Sequence, residues 1–209
     1  MIYTDNCQIT HIPKTGGIYL RELLNSNDVN SRLMYMMTND KNPYTFAHEL
    51  VDSRADENHH LPDNENKAHR IMIVRNPLTW YMSYFTHRND HKLGTMGGWS
   101  PYRDFDRKCM SADFDTFMEK VFRAYPAPFL SQLYVVYKNV CRVTHIVHME
   151  DLFKEIEPII NKAEGVELKY LDKRVNSRPH QRISPEMLER IAQYESQTIE
   201  GYYGESSPS

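Results

Sequence analysis

The sequence predicts an α/β fold, a sandwich in which helices cover a central and mainly parallel sheet. Short apolar stretches rich in β-branched residues alternate with longer stretches in which apolar residues recur every three or four positions. Three of the apolar stretches lead directly into a helical pattern, which is typical of β–α units. The chain has 209 residues and no internal repeat, so we expect a single domain over residues 1–209.

The predicted strands comprise residues 7–12 (CQITHI), 69–75 (HRIMIVR) and 142–150 (RVTHIVHME). The helices that follow these strands are predicted at residues 16–27, 76–88 and 151–163. Residues 44–51 predict a strand that runs into a helix, and further helices are predicted at residues 113–125, 128–139 and 184–196. Open α/β sheets bind ligands at the carboxyl ends of their strands, where each strand turns into its helix.

Two further stretches are predicted as loops. Residues 89–112 contain several glycines, which predicts a long irregular excursion. Because such excursions are often binding loops or lids, we expect it to lie on the acceptor side. Residues 173–182 (KRVNSRPHQR) form a basic loop that contains Arg178. This basic loop could close over a bound nucleotide, bind an anionic acceptor or stand in solvent, and the sequence leaves these alternatives open.

Charge and cysteine content limit the function classes. The formal net charge of −3 gives no overall basic character, so we expect neither nucleic acid nor a membrane surface as a partner. Three widely spaced cysteines form neither a disulfide framework nor a zinc pattern, which predicts free thiols in a reducing compartment. With no apolar stretch near ~20 residues and no signal sequence, we expect a soluble, cytoplasmic protein.

The first predicted strand–helix junction, residues 11–17 (HIPKTGG), predicts an anion site. Lys14 supplies a positive charge, and the adjacent Gly16 and Gly17 let a ligand approach the backbone closely. The free amides and the positive end of the helix dipole point at the same place. The second junction begins with Arg75 and continues to Ser83. If the two strands are neighbours, one small ligand with two separated phosphate groups would satisfy both junctions.

These motifs resemble those of a known family. HIPKTGG is similar to the 5′-phosphosulfate-binding loop of sulfotransferases that use 3′-phosphoadenosine 5′-phosphosulfate (PAPS), especially the carbohydrate sulfotransferases. IMIVRNPLTWYMSYF (residues 71–85) resembles their 3′-phosphate-binding strand and helix, and VHMEDL (147–152) resembles their later acidic motif. Residues 174–204 resemble the C-terminal loop and helix of the heparan-sulfate-type branch. The resemblance spans residues 8 to about 204, with the excursion unmatched.

The resemblance implies a three-layer, P-loop-like sandwich that uses PAPS as sulfuryl donor, releases adenosine 3′,5′-bisphosphate (PAP) and requires no metal. It assigns PAPS binding to Pro13, Lys14, Thr15, Gly16, Gly17, Ile18, Tyr19, Arg75 and Ser83. We add Arg178 of the basic loop as a candidate nucleotide contact. The chain departs from the family pattern at two places. Ile18 and Tyr19 replace the usual hydroxyl pair, and Trp80 stands where the family often has arginine.

Lys14 and His48 are the expected catalytic residues. Sulfuryl transfer develops negative charge on the leaving phosphate oxygen, which Lys14 would stabilise at the start of its helix. The family places a catalytic histidine after the strand that corresponds to residues 44–51, which implies His48 as the general base. A structural role for His48 stays open, and His87 and His91 are alternative bases or, with Trp99, acceptor contacts.

Other roles for two acidic residues, and other function classes for the chain, stay open. Glu150 and Asp151 could act as base carboxylates, although acidic residues also favour a helix start. A nucleotide kinase is a rival class, but lysine precedes the glycines here, unlike in G-x-x-x-x-G-K-[ST]. A non-catalytic nucleotide- or glycan-binding module is a third class. The acceptor is expected to be a glycan or a small molecule, and the lack of a membrane anchor is more typical of a microbial or viral protein than of the Golgi enzymes.

Overall fold

The computed structural model describes residues 1–10, 12–33, 67–89, 99, 104–172 and 183–204. The chain divides into two compact units. The first unit comprises Met1–Arg75 and Val135–Ser177, and the second comprises Asn76–Tyr134 and Arg178–Ser209. The expectation of a single domain over residues 1–209 stays a prediction.

The first unit contains a five-stranded mixed sheet. Its strands are β1 (Ile2–Tyr3), β2 (Cys7–Thr10), β3 (Arg32–Leu33), β4 (His69–Val74) and β5 (His145–His148), in the order β3-β1-β2-β4-β5. The three longer strands β2, β4 and β5 are parallel, whereas β1 pairs antiparallel with both of its neighbours. The predicted α/β class and the three predicted strands are confirmed, and β1 and β3 were not predicted.

The described residues form the helices α1 (Gly17–Ser26), α2 (Pro77–Arg88), α3 (Asp104–Cys109), α4 (Phe114–Ala124), α5 (Phe129–Val140), α6 (Leu152–Glu164), α7 (Pro185–Tyr194) and α8 (Ser196–Tyr203). A 3₁₀ turn, Met149–Asp151, joins β5 to α6. The helices predicted after the three strands are therefore confirmed. The helices predicted at residues 113–125, 128–139 and 184–196 are confirmed as well, with the last one ending earlier, at Tyr194.

The core of the first unit lies between the sheet and the helices α1 and α6. Alternate residues of the central strands, such as Ile9 and Ile71, point to the same face because side chains alternate along a strand. They pack with Leu20 and Leu24 of α1 and with Ile156 of α6, and all five side chains are fully buried. Burying a side chain of this size contributes about 1.5–3 kcal/mol. This packing fixes α1 and α6 against the strands whose ends carry the candidate site.

The core of the second unit is aromatic. Trp80 is 2 % exposed, and its ring stacks on Tyr84 with centroids 5.1 Å apart. Phe105 packs edge-on against Tyr84 and lies 4.4 Å from Phe129 between centroids. Aromatic pairs in such arrangements contribute about 0.5–1.5 kcal/mol beyond their buried area. Trp80, which stands where the family that the motifs resemble often has arginine, is therefore part of the core of the second unit.

A buried ion pair holds α2 to α3 in this unit. Arg88 Nε lies 3.2 Å from Asp106 Oδ1, and the two side chains are 4 % and 0 % exposed. The hydroxyl of Tyr84 donates to the same carboxylate oxygen over 2.6 Å. Hydrogen bonds of this kind are needed to offset the desolvation of buried charges. The helix α3 lies within the predicted excursion, so the prediction of an irregular segment is wrong for residues 104–109.

The three cysteines are free and buried, which confirms the prediction of free thiols. Burial raises the pKa of Cys7 and of Cys109 to about 12 each, and it also raises the pKa of Cys141. In the part of the chain that the structure describes, no helix is both long and apolar enough to cross a membrane. The strand–helix pattern predicted at residues 44–51 and the basic loop at residues 173–182 lie outside the described residues.

Candidate functional site

The carboxyl ends of β2, β4 and β5 meet at one edge of the sheet. In the parallel register Thr10 lies opposite Met72, and Val74 lies opposite His148. The strands β4 and β5 therefore end at the same level, and β2 ends two residues earlier. The three strands are followed by the first junction (after β2), by Arg75 (after β4) and by Met149 (after β5). The expectation that the strands of the two junctions are neighbours is confirmed by the pairing of β2 with β4.

The first junction makes a tight turn between β2 and α1. Lys14 has a φ of +69° and Gly16 a φ of +83°, so both adopt the left-handed conformation. This conformation costs a lysine roughly 1–2 kcal/mol, whereas glycine adopts it readily. Residues held in such sparsely populated conformations cluster at ligand-binding sites. The turn thus carries local strain at the residue that we expect to meet the anion.

Thr15 stabilises this turn from within. Its side chain is fully buried, and its hydroxyl donates to the carbonyl of Ile12 over 2.8 Å. Its backbone N–H donates to the same carbonyl over 3.3 Å. The resemblance assigns Thr15 to the binding of PAPS. In the structure the Thr15 hydroxyl donates its single proton to the Ile12 carbonyl, within the loop.

The N-terminus of α1 has the properties of an anion site. Gly16 occupies the N-cap position, no side chain of the described residues caps this end, and the first turn contains no acidic residue. In contrast, Asn76 accepts from Leu78 N–H at the start of α2, and Ser184 accepts from Met187 N–H at the start of α7. The first-turn amides of α1 have no intrahelical acceptor. They therefore present donors and a partial positive charge where the loop turns.

A hydrogen bond joins the two junctions. Arg75, directly after β4, donates from Nη1 to the carbonyl of Lys14 over 2.9 Å. The guanidinium thus lies against the backbone of the first junction and brings a second positive charge to the loop.

Gly16 is required by close packing as well as by its backbone conformation. A Cβ built on Gly16 would lie 2.2 Å from Met149 Sδ and 3.2 Å from Leu152 Cδ2. Non-bonded carbon and sulfur atoms do not approach to about 2 Å, so the side chain of Met149 occupies the space that a Cβ at position 16 would need. The first junction therefore packs directly on the turn that follows β5.

Ile18 and Tyr19, which were also predicted to bind the nucleotide, differ in their exposure to solvent. Ile18 is 42 % exposed on the first turn of α1. Tyr19 is half-buried, and its hydroxyl donates to the Leu171 carbonyl over 3.3 Å. Burial raises the pKa of this hydroxyl, and the neighbouring Tyr170 adds to the shift. Tyr19 is therefore tied to the chain after α6, whereas Ile18 faces solvent.

Three predicted residues lie in the second unit. Ser83 and His87 are half-buried on α2, where Ser83 lies about 9 Å along the helix from Pro77. Trp99 donates from Nε1 to Asn89 Oδ1 over 3.2 Å, and its ring packs 5.7 Å from that of Phe117. These contacts are those of a packed side chain. The proposed ligand contacts of all three residues stay predictions.

Three further predicted residues, His48, His91 and Arg178, lie outside the described residues. Their roles as general base, acceptor contact and nucleotide contact stay predictions. Glu150 and Asp151 are exposed in the 3₁₀ turn that leads into α6, and Asp151 occupies the N-cap position of this helix without a capping hydrogen bond from its side chain.

The structure adds a pair that sequence reasoning missed. His148, the last residue of β5, places its ring Nδ1 3.0 Å from Glu155 Oε1 and 3.1 Å from Oε2. The backbone N–H of His148 also donates to Glu155 Oε2 over 2.7 Å. The signal in the sequence was a histidine at the end of a predicted strand with a glutamate seven residues later.

Among the described residues no group of three histidine, cysteine, aspartate or glutamate side chains is arranged to hold a metal ion. The expectation that the protein needs no metal stays a prediction. Comparisons of the chain with protein-family models, with curated proteins and with solved structures found no match.

Proposed function

We propose that this protein is a sulfotransferase that transfers the sulfuryl group of PAPS to an acceptor hydroxyl on a carbohydrate. The observation that carries the proposal is the hydrogen bond from Arg75 Nη1 to the Lys14 carbonyl. It brings together the two motifs that the resemblance assigns to the two ends of a single nucleotide. The α/β class of the chain is compatible with the three-layer, P-loop-like fold that the family would require.

The residues of the first junction fit the phosphosulfate of PAPS. The first-turn amides of α1 (Gly17, Ile18 and Tyr19) offer hydrogen-bond donors, and no acidic residue of that turn opposes an anion. Lys14 adds a full charge, and charge-assisted hydrogen bonds are about twice as strong as neutral ones. The departures at Ile18 and Tyr19 remove side-chain hydroxyls but leave the backbone donors in place. Arg75 is the residue that we assign to the 3′-phosphate.

The proposed chemistry is an in-line transfer. The acceptor oxygen forms a bond to sulfur while the bond from sulfur to the 5′-phosphate oxygen breaks, and the electron pair of that bond stays on the phosphate oxygen. Lys14 stabilises the charge that develops on this oxygen, together with the positive end of α1. Positioning of the two reactants supplies much of the remaining rate.

The test is transfer of radiolabel from PAPS to a panel of glycans and small hydroxyl compounds, measured for the wild type and for Lys14→Met. Methionine keeps the length of the stem and the backbone conformation but removes the charge. We expect kcat to fall about 10²–10³-fold, as for the loss of one transition-state donor. Lys138→Met is the matched control, since Lys138 is exposed on α5.

Two results would contradict the proposal. One is a wild type that transfers no sulfuryl group from PAPS to any acceptor but does transfer phosphate from ATP in the presence of magnesium. That activity would identify the protein as a kinase. The other is full activity of Lys14→Met, which would remove Lys14 from the transition state. A protein that binds PAP but transfers no group would support the non-catalytic alternative.

A further inference from the structure

We propose that His69 and His145 form a pH-sensitive link between β4 and β5, which carries at most one positive charge and opens when acid adds a second. The two histidines are the first residues of their strands, whereas the candidate site lies at the carboxyl ends. The lengths of the two strands separate the link from that site by about 10–17 Å. The link would exist whichever ligand the candidate site binds.

The two rings face each other across neighbouring strands. His69 Nδ1 lies 3.1 Å from His145 Nε2, the ring centres are 5.3 Å apart, and the ring planes differ by 19°. The two nitrogens therefore lie between the ring centres, at the distance of a hydrogen bond. In the parallel register Ile71 lies opposite His145, so His69, two residues earlier, is on the same face of the sheet. Both histidine side chains are half-buried.

This contact can hold one added proton but not two. A neutral imidazole has one donor and one acceptor nitrogen, so one ring can donate its N–H to the other. If one ring gains a proton, the contact still joins a donor to an acceptor. If both rings gain one, two N–H groups of like charge face each other over 3.1 Å. The hydrogen bond is then lost, and the rings repel each other.

Positive charges near the pair also oppose the second proton. Burial lowers the pKa of His145, and the neighbouring His69 and Lys162 of α6 lower it further. Lys67, two residues before His69, is a further cation, and its Nζ donates to the Asp5 carbonyl over 2.5 Å. Among the described residues no carboxylate forms an ion pair with either ring. A second positive charge on the pair would therefore have no nearby anion to stabilise it.

The remaining neighbours of the pair add no negative charge to it. Cys7 is paired with His69 in the register of β2 and β4, and burial raises the pKa of its thiol to about 12, so it stays neutral. Glu164, at the end of α6, acts on Cys7 and accepts from the hydroxyl of Thr4. Arg70 is on the opposite face of the sheet, where its guanidinium donates to backbone carbonyls.

The consequence is a stability that depends on pH. In the unfolded chain both histidines take up protons with a pKa of about 6.5. In the folded protein the second proton binds only at a lower pH, so the unfolded state binds more protons between these two pH values. Stability therefore rises with pH across this window. The contribution of the link is fully present above about pH 6.5, and it is lost as the pH falls from there through the lowered pKa of the pair.

The experiment is urea unfolding of the wild type, His145→Gln, His69→Asn and the double variant at about pH 7.5 and about pH 5, on either side of the ordinary histidine pKa. Glutamine and asparagine place an amide near Nε2 and Nδ1 respectively, so each variant keeps a hydrogen-bonding group but removes one of the two charges. On acidification the folding equilibrium constant of the wild type should fall severalfold to about tenfold more than that of either variant, since one pH unit between folded and unfolded titration corresponds to a factor of ten.

The double variant should show no smaller acid loss than the single variants, because either substitution already prevents the double charge. Equal acid losses in the wild type and in both single variants would overturn the inference. A loss of stability in the variants that is the same at the two pH values would assign the pair to packing alone, and it would overturn the inference as well.

An NMR titration of the histidine rings tests the link in proteins that stay folded. In the wild type, the two rings should titrate in two steps more than about one pH unit apart, as coupled groups do. Lys162→Gln should move the lower step to higher pH. Lys154→Gln should leave it unchanged, since Lys154 is exposed on α6 about 12 Å along the helix from Lys162. Independent titration of His69 and His145 near the ordinary histidine pKa would contradict the link.

Discussion

At the scale of single residues, the left-handed conformations of Lys14 and Gly16 define the first junction. Glycine patterns in the sequence predicted the turn, but they gave no sign that the lysine would share the positive φ. The sequence also gave no sign that Met149 would fill the space beside Gly16, because this contact joins residues 133 positions apart. Such contacts depend on the packing of the sheet, which residue patterns do not encode.

The first prediction is that Gly16→Ala destabilises the protein more than Gly165→Ala does. Both glycines have a positive φ, of +83° and +67°, so alanine costs roughly 1–2 kcal/mol at each from conformation alone. Only at Gly16 would the new methyl group meet a side chain, whereas nothing lies within 4 Å at Gly165. The new methyl group would displace the flexible end of Met149, so overpacking adds about 1 kcal/mol, the lower end of its usual range. The free energy of unfolding, measured by urea titration, gives the difference.

Equal losses of stability in the two variants would contradict the packing of Met149 on the first junction. A second comparison supports the assignment. Adding Met149→Ala to Gly16→Ala should cost less than Met149→Ala costs alone in the wild type, because the smaller side chain makes room for the new methyl group.

At the scale of elements, the sequence identified those with a strong local pattern. The strands β2, β4 and β5 are apolar and four to six residues long, and they were predicted. The strands β1 and β3 have two residues each, too few to show any alternation. The helix α8 was missed because Gly201 interrupts it, and α3 was missed because glycine-rich residues precede it.

The start of helix α5 is stabilised by a residue that lies 65 positions further along the chain. Glu195, between α7 and α8, is fully buried and accepts from the backbone N–H groups of Leu130 and Ser131 over 2.9 and 3.1 Å. Its carboxylate also accepts from the hydroxyls of Tyr81 and Thr198 over 2.6 and 2.8 Å. A helix leaves its first amides without intrahelical acceptors, and Glu195 supplies acceptors from outside the helix.

The second prediction is that Glu195→Gln destabilises the second unit more than Tyr81→Phe. The amide replaces one acceptor oxygen by a donor that faces other donors, and each hydrogen bond to the charged group is worth about 1.5–3 kcal/mol. Tyr81→Phe removes only one of the four bonds. Burial raises the pKa of the Tyr81 hydroxyl, and the charge of Glu195 raises it further, so this hydroxyl stays a donor. Urea unfolding of the two variants measures the difference.

A loss of stability in Glu195→Gln that is equal to or smaller than that in Tyr81→Phe would contradict the role of the carboxylate. The double variant provides the control. Its loss should be smaller than the sum of the two single losses, because Tyr81 and Glu195 share a hydrogen bond that both substitutions affect.

At the scale of the whole molecule, the positive charge of the candidate site is local. The chain carries a formal net charge of −3, yet Lys14 and Arg75 meet at a helix start that contains no acidic residue. The sequence predicted this combination because each cation follows a recognisable strand. It did not predict the pairing of His148 with Glu155, because a spacing of seven residues across a strand end and a turn matches neither helical nor strand periodicity.

The central claim is that the two junctions bind one nucleotide with two separated phosphate groups. The direct measurement is calorimetric titration of the protein with PAP and with AMP. The second phosphate should add at least one charge-assisted hydrogen bond to Arg75, worth about 1.5–3 kcal/mol. Since about 1.4 kcal/mol is a factor of ten, we expect PAP to bind at least about tenfold more tightly than AMP.

Arg75→Ala should remove this preference for PAP. Arg70→Ala should keep it, since Arg70 lies near the amino end of the same strand and donates to the Arg142 carbonyl over 2.6 Å. The account predicts a Kd for PAP well below that for AMP in the wild type and in Arg70→Ala, and similar values for the two nucleotides in Arg75→Ala. Equal affinity of the wild type for PAP and AMP would contradict it.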